Sequence, residues 1–102
     1  MRIFVIFDLP THTKTDKRNY TKFRKFLLSD GYQMLQFSVY CRIVNGQEGV
    51  DKHIARIKAY IPPEGNVRLF KVTEKQFADM MFLVGTPSKT EKKVGSSVQL
   101  SF

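Results

Sequence analysis

Tyr32-Gln33-Met34-Leu35-Gln36-Phe37-Ser38-Val39-Tyr40-Cys41-Arg42-Ile43-Val44 is the stretch on which the fold turns. It is rich in β-branched and aromatic residues and reads as extended from end to end. It is long for one strand of a small sheet, where about 5–6 residues is typical. A break near Gln36-Phe37-Ser38 makes it two strands, although no Gly or Pro marks the place. Split in this way, the chain has the order β-α-β-β-α-β, followed by two short strands. That is the ferredoxin-like order, an α+β fold with a four-stranded sheet and both helices on one face. Unsplit, the order is β-α-β-α-β-β, closer to a small α/β sheet. Strand length favours the split.

Upstream lies Met1-Arg2-Ile3-Phe4-Val5-Ile6-Phe7-Asp8-Leu9-Pro10. Ile3, Val5 and Phe7 point one way along a strand; Phe4, Ile6 and Asp8 point the other. Both faces are apolar, so the strand is expected at the centre of the sheet. Pro10 cannot donate to a ladder and ends the strand just past Asp8. The carboxylate of Asp8 therefore stands where the chain leaves the sheet, a place for a functional acid or for a simple turn tether.

Thr13 and Asp16 have the spacing of a capping box, with Asp in place of the usual Glu or Gln. The helix they open is expected to run to about Ser29, with Gly31 as its C-terminal cap. Tyr20, Phe23 and Leu27 form its core stripe. Lys14, Arg18, Lys22 and Lys25 fall in a second, narrow stripe roughly opposite, flanked by Lys17 and Arg24. A solvated face normally intersperses acids, and only Asp16 is available here. The stripe therefore reads as a phosphate-binding face, with an ordinary solvated face as the alternative.

Beyond the long extended stretch, Asn45-Gly46 and Gly49 mark a turn. A second helix is expected from about Glu48 to Tyr60, with Val50, Ile54, Ile57 and Ile61 as its apolar stripe and Pro62-Pro63 as its stop. Val67 to Val72 is the next strand. Thr73 and Gln76 form a second capping box, with Val72 and Phe77 as its hydrophobic staple. Asp79 to Val84 reads as a further strand, and Val98 to Phe102 as a short half-buried one. Residues 1–85 then form the ferredoxin-like domain, and 86–102 a polar connector with a C-terminal strand. On an open sheet face Phe4 and Ile6, with Met34 and Phe70, would leave an apolar patch that a two-fold, sheet-to-sheet homodimer buries. The C-terminal strand is expected to add to a sheet edge, that of the partner.

The 102 residues suit one domain, and an apolar fraction of 42% with nine Phe is ample for a core. Lys and Arg total 17 against nine acids, a net charge of +8. That charge points to an anionic partner, nucleic acid above all. Cys41 is alone, which excludes a disulfide within the chain and a cysteine zinc cluster. No secretory signal is apparent, and no apolar run approaches the roughly 20 residues of a membrane span. A reducing cytoplasm and no membrane partner are expected.

Phe7-Asp8-Leu9-Pro10 followed by Arg18-Asn19-Tyr20-Thr21-Lys22-Phe23-Arg24-Lys25-Phe26-Leu27 resembles the CRISPR-associated Cas-two family, in the form found in type II systems. Gly31 to Tyr40 and Phe82-Leu83-Val84-Gly85 extend the resemblance over nearly the whole chain. It implies a ferredoxin-like homodimer devoted to spacer acquisition, seated between dimers of the Cas-one integrase and holding spacer DNA. It also implies that Asp8 is a divalent-metal ligand and the catalytic acid of a metal-dependent endonuclease on RNA or DNA.

Mg²⁺ keeps several waters and takes one or two carboxylates, so a dimer with two copies of Asp8 meets the minimum. No general base stands out. His12 lies on a polar loop, His53 at the boundary of the second helix, and Ser38 and Tyr40 where they line a dimer cleft or simply pack. Cys41 reads as a small buried hydrophobe. Arg42 meets a phosphate or ends a strand in solvent. Three readings stand: a non-catalytic subunit bridging double-stranded DNA, a Mg²⁺-dependent endonuclease, and a single-strand RNA-binding module. No RNP-type base-reading signature is present, which favours backbone binding.

Overall fold

The computed structural model describes residues 1–87. The expected Val98 to Phe102 strand and nearly all of the connector lie outside them. The elements are β1 (Arg2–Asp8), α1 (Lys14–Ser29), β2 (Gln33–Gln36), β3 (Val39–Ile43), α2 (Gly46–Lys58), β4 (Asn66–Val72) and α3 (Glu74–Ala78). The sheet order is β2-β3-β1-β4. β1 pairs antiparallel with both β3 and β4, so it is central, as its two apolar faces require.

The long extended stretch does split. Gln36 pairs with Val39, and Phe37 and Ser38 form the turn between them. Ser38 holds φ at 63°, a left-handed conformation uncommon outside Gly. Its carbonyl accepts the N–H of Phe7 at 3.1 Å, so the turn also extends the ladder to β1.

Local chemistry sets the helix ends. Thr13 Oγ1 accepts the Asp16 N–H at 3.0 Å, and the Asp16 carboxylate accepts the Thr13 N–H at 3.1 Å. The shorter Asp thus serves in the box. At the other end the Tyr32 N–H reaches the Leu27 carbonyl and the Gly31 N–H reaches that of Leu28. This double closure needs a left-handed residue, and Gly31 supplies it at φ 90°. α2 begins two residues before its expected start, because the Asn45 carbonyl already accepts the Gly49 N–H. It ends sooner too, leaving Ile61 beyond the helix and half exposed. The second capping box, Thr73 with Gln76, forms as expected.

Ile3, Val5 and Phe7 of β1 pack with Phe23 and Leu27 of α1 and Val50 and Ile57 of α2 in the main core. Both long helices therefore cover one sheet face. α1 and α2 are also pinned to each other. The Asp30 carboxylate lies 2.9 Å from His53 Nδ1 and accepts Arg56 Nη1 at 2.7 Å. His53 is buried at 3% exposure rather than at a boundary, and desolvation depresses its pKa.

The opposite face departs from expectation at three places. Phe4 is buried, at 8% exposure, under a stack with Phe70 and a tilted contact to Phe77 of α3. Arg2 Nε holds Glu74 and its guanidinium caps the Phe77 ring at 3.8 Å, which ties α3 down there. Met34 pairs with Tyr40, which pairs with Val5, so it belongs to the helix face and not to the open one. Finally, Asp79 to Val84 is not a strand: the described sheet has four, and this segment pairs with neither of its edges, β2 or β4. Met80 packs on Phe4, Cys41 and Phe77, and the chain then runs on over the open face. Met81, Leu83 and Val84 remain 60%, 80% and 92% exposed.

Candidate nucleic-acid interface and metal site

β1 delivers Asp8 to the rim of the open face, where the side chain is exposed. Among the described residues its carboxylate makes no hydrogen bond or ion pair. Two shallow hollows meet at it. One is lined by Phe37 and Ser38 of the β2–β3 turn and by Asn66 and Arg68 of β4. The other is lined by His12, Glu64 and Gly65. His12 thus shares a hollow with Asp8, as a solvent-exposed loop residue.

Gly65 brings the loop before β4 against the end of β1. Its φ is 100°, and a Cβ there would stand 2.6 Å from the Asp8 carbonyl oxygen and 2.8 Å from Leu9 Cδ2. Gly65→Ala therefore combines a left-handed backbone with a backbone clash. It should cost about 1–3 kcal/mol, read as a lower denaturant midpoint with an unchanged slope.

No group of three or more His, Cys, Asp or Glu able to hold a metal ion occurs among the described residues. The described residues therefore offer no closed cage. What they offer at the strand end is the hard carboxylate of Asp8, exposed and without a partner among them. That fits a hydrated divalent cation taking one carboxylate from each of two chains, the coordination Mg²⁺ tolerates.

The basic stripe is where the periodicity set it. Lys14, Lys17, Arg18, Lys22 and Lys25 all lie exposed along α1, and none is in an ion pair among the described residues. Their charges are unneutralised and are available to an anion. Arg42 is not comparable. Its guanidinium donates to the carbonyl of Asp30, and its Nε donates to the Ile43 carbonyl at 3.0 Å. It lies 5.9 Å from the Tyr32 ring. One N–H thus closes the C-terminal end of α1 and another holds the adjacent backbone.

Tyr40 and Ser38 part company. Tyr40 is fully buried on the helix side, its ring stacked on Phe7 at 5.6 Å, and burial raises its pKa. Ser38 borders the Asp8 hollow. Cys41 is buried. Asn66 and Arg68 were not singled out from the sequence. Their signal was the alternation Asn66-Val67-Arg68-Leu69, which puts Val67 and Leu69 toward the core and the polar pair on the other side. That alternation does not tell which strand lies alongside.

No helix of the described residues is long and apolar enough to cross a membrane. The sequence model of the CRISPR associated protein Cas2 family matches residues 1–80. A CRISPR-associated endoribonuclease Cas2 of Acidovorax ebreus is 57% identical over 97 residues, 95% of each chain. One of Streptococcus mutans is 48% identical over 85 residues, 83% of this chain and 78% of the relative. The crystal structure of Streptococcus pyogenes Cas2 superposes with a TM-score of 0.62 at 24% identity. It covers 82% of this chain and all of its own. The ferredoxin-like order of elements, the strand-end acid and these similarities agree, and the chain belongs to the Cas2 family of CRISPR-associated proteins.

Proposed function

We propose that this protein acts in CRISPR adaptation as a homodimer that bridges Cas-one integrase dimers and holds spacer DNA by its backbone. The observation that carries this reading is the α1 stripe: Lys14, Lys17, Arg18, Lys22 and Lys25 are exposed on one element and in no ion pair among the described residues. Such contacts position a duplex without reading its sequence. The dimer is supported by the exposed run Met81, Leu83 and Val84, an apolar surface that a second copy would cover. Light scattering at micromolar concentration should give twice the mass of the chain, and a monomer would overturn the dimer.

A second reading is favoured by Asp8, and by the name endoribonuclease that the curated relatives carry. In it, Asp8 from each chain holds a divalent cation such as Mg²⁺ and the protein cuts a phosphodiester in RNA or DNA. A bound cation there would supply Lewis acidity and lower the pKa of water. Asp8 itself supplies hard oxygens, and its exposure leaves it open to a hydrated ion. Asp8→Ala separates the two readings when assayed in parallel for nuclease activity of the purified protein and for spacer integration with the integrase present. Lost cleavage with normal integration supports both a nuclease site at Asp8 and a bridging role independent of it. Lost integration from a folded Asp8→Ala dimer would overturn a bridging role independent of that site.

A further inference from the structure

The β1–β4 register sets a cation beside Asp8. Ile6 pairs with Arg68 and Asp8 with Asn66. Paired residues of an antiparallel ladder share a face, so Asp8 and Arg68 stand on the same side as diagonal neighbours, about 7–8 Å apart. Arginine is long enough to close that gap, yet these two do not pair. Among the described residues neither the Asp8 nor the Arg68 side chain has a hydrogen bond or ion pair, and Arg68 is exposed. Both line one hollow, together with Asn66 of β4 and Ser38 of the β2–β3 turn on the other side of β1.

An acid and a guanidinium that face one hollow without neutralising each other leave one site for a cation and one for an anion. A phosphodiester beside a cation has that pattern, and the planar fork of arginine suits its oxygens. We infer that Arg68 binds the phosphodiester of the strand presented to Asp8, as the positioning residue of that site. This rests on the nuclease reading of Asp8. The competing role for Arg68 is an ion pair across a dimer interface.

The test is binding of a labelled single-stranded oligouridylate to the purified protein in EDTA, over a range of salt, with light scattering on each variant. Arg68→Ala should lower the slope of log affinity against log salt by about 0.7 for each copy engaged, with the dimer intact. Arg68→Lys should keep the slope, because the charge stays, while losing part of the affinity. Asp8→Asn should act in the opposite sense, tightening metal-free binding up to about threefold, because a like charge near the phosphate is gone. A slope unchanged in Arg68→Ala, or dissociation of its dimer, overturns the assignment. A deoxyoligonucleotide run alongside shows whether the site prefers one sugar. Cleavage that survives Asp8→Asn would defeat the nuclease reading and leave the slope to decide Arg68. Cleavage lost in Asp8→Asn with an unchanged Arg68→Ala slope defeats the Arg68 assignment alone.

Discussion

On the nuclease reading, Asp8→Asn should lower any metal-dependent cleavage by at least about 100-fold while leaving the fold and duplex binding in place. The size follows from the charge lost. A carboxylate that holds a divalent cation sustains several kcal/mol of transition-state stabilisation, and each 1.36 kcal/mol is tenfold in rate. The amide keeps the shape and one oxygen but not the charge. Stability should stay within about 0.5 kcal/mol, because the Asp8 side chain is exposed, without a partner among the described residues and outside the core. Single-turnover cleavage across a Mg²⁺ titration, with circular dichroism on the same samples, checks both halves. Undiminished cleavage would place the chemistry elsewhere.

Replacing Arg18 and Lys22 together by Ala should flatten the salt dependence of duplex binding by about three to four units in a dimer. Two chains then lose four charges, and each phosphate contact on B-DNA contributes roughly 0.9 to the slope. At about 0.1 M salt this corresponds to a loss of about 10³–10⁴-fold. The loss should be equal for unrelated sequences, because phosphate contacts carry no base information. Both residues are exposed and outside the core, so folding should not confuse the result. Fluorescence anisotropy from low to moderate salt measures the slope. An unchanged slope would make the stripe a solvated face, and a loss confined to one sequence would speak for base readout.

These two predictions use residues that the sequence exposes directly, and the reason is local. Thr13 and Asp16, or Thr73 and Gln76, meet within one helical turn, so spacing alone fixes their contacts. The α1 stripe follows from helical period, and the two faces of β1 from strand period. Asp8 stands at its strand end because Pro10 permits no continuation. Even the unmarked break at Phe37-Ser38 was signalled by length.

Other features were decided only by what lies across space. Arg42 had the same charge as Arg18, but the end of α1 comes to rest against it and takes one of its donors. Met34 faces the helices because the register shifts between Met34 and Gln36, and a one-residue shift exchanges the faces of a strand. Asp79 to Val84 has the composition of a strand, but it joins neither edge of the sheet, and Met80 packs over the open face instead. Gly65 gains its role only where β4 returns beside Asp8. Arg68 became a neighbour of that acid through pairing between strands distant in sequence. Sequence by itself determined β1, α1 and both capping boxes, with the faces of β1 and α1, since those depend on contacts a few residues apart. Tertiary structure decided which charges stay free and which acid meets which base, since those depend on register between distant segments, which local pattern does not encode.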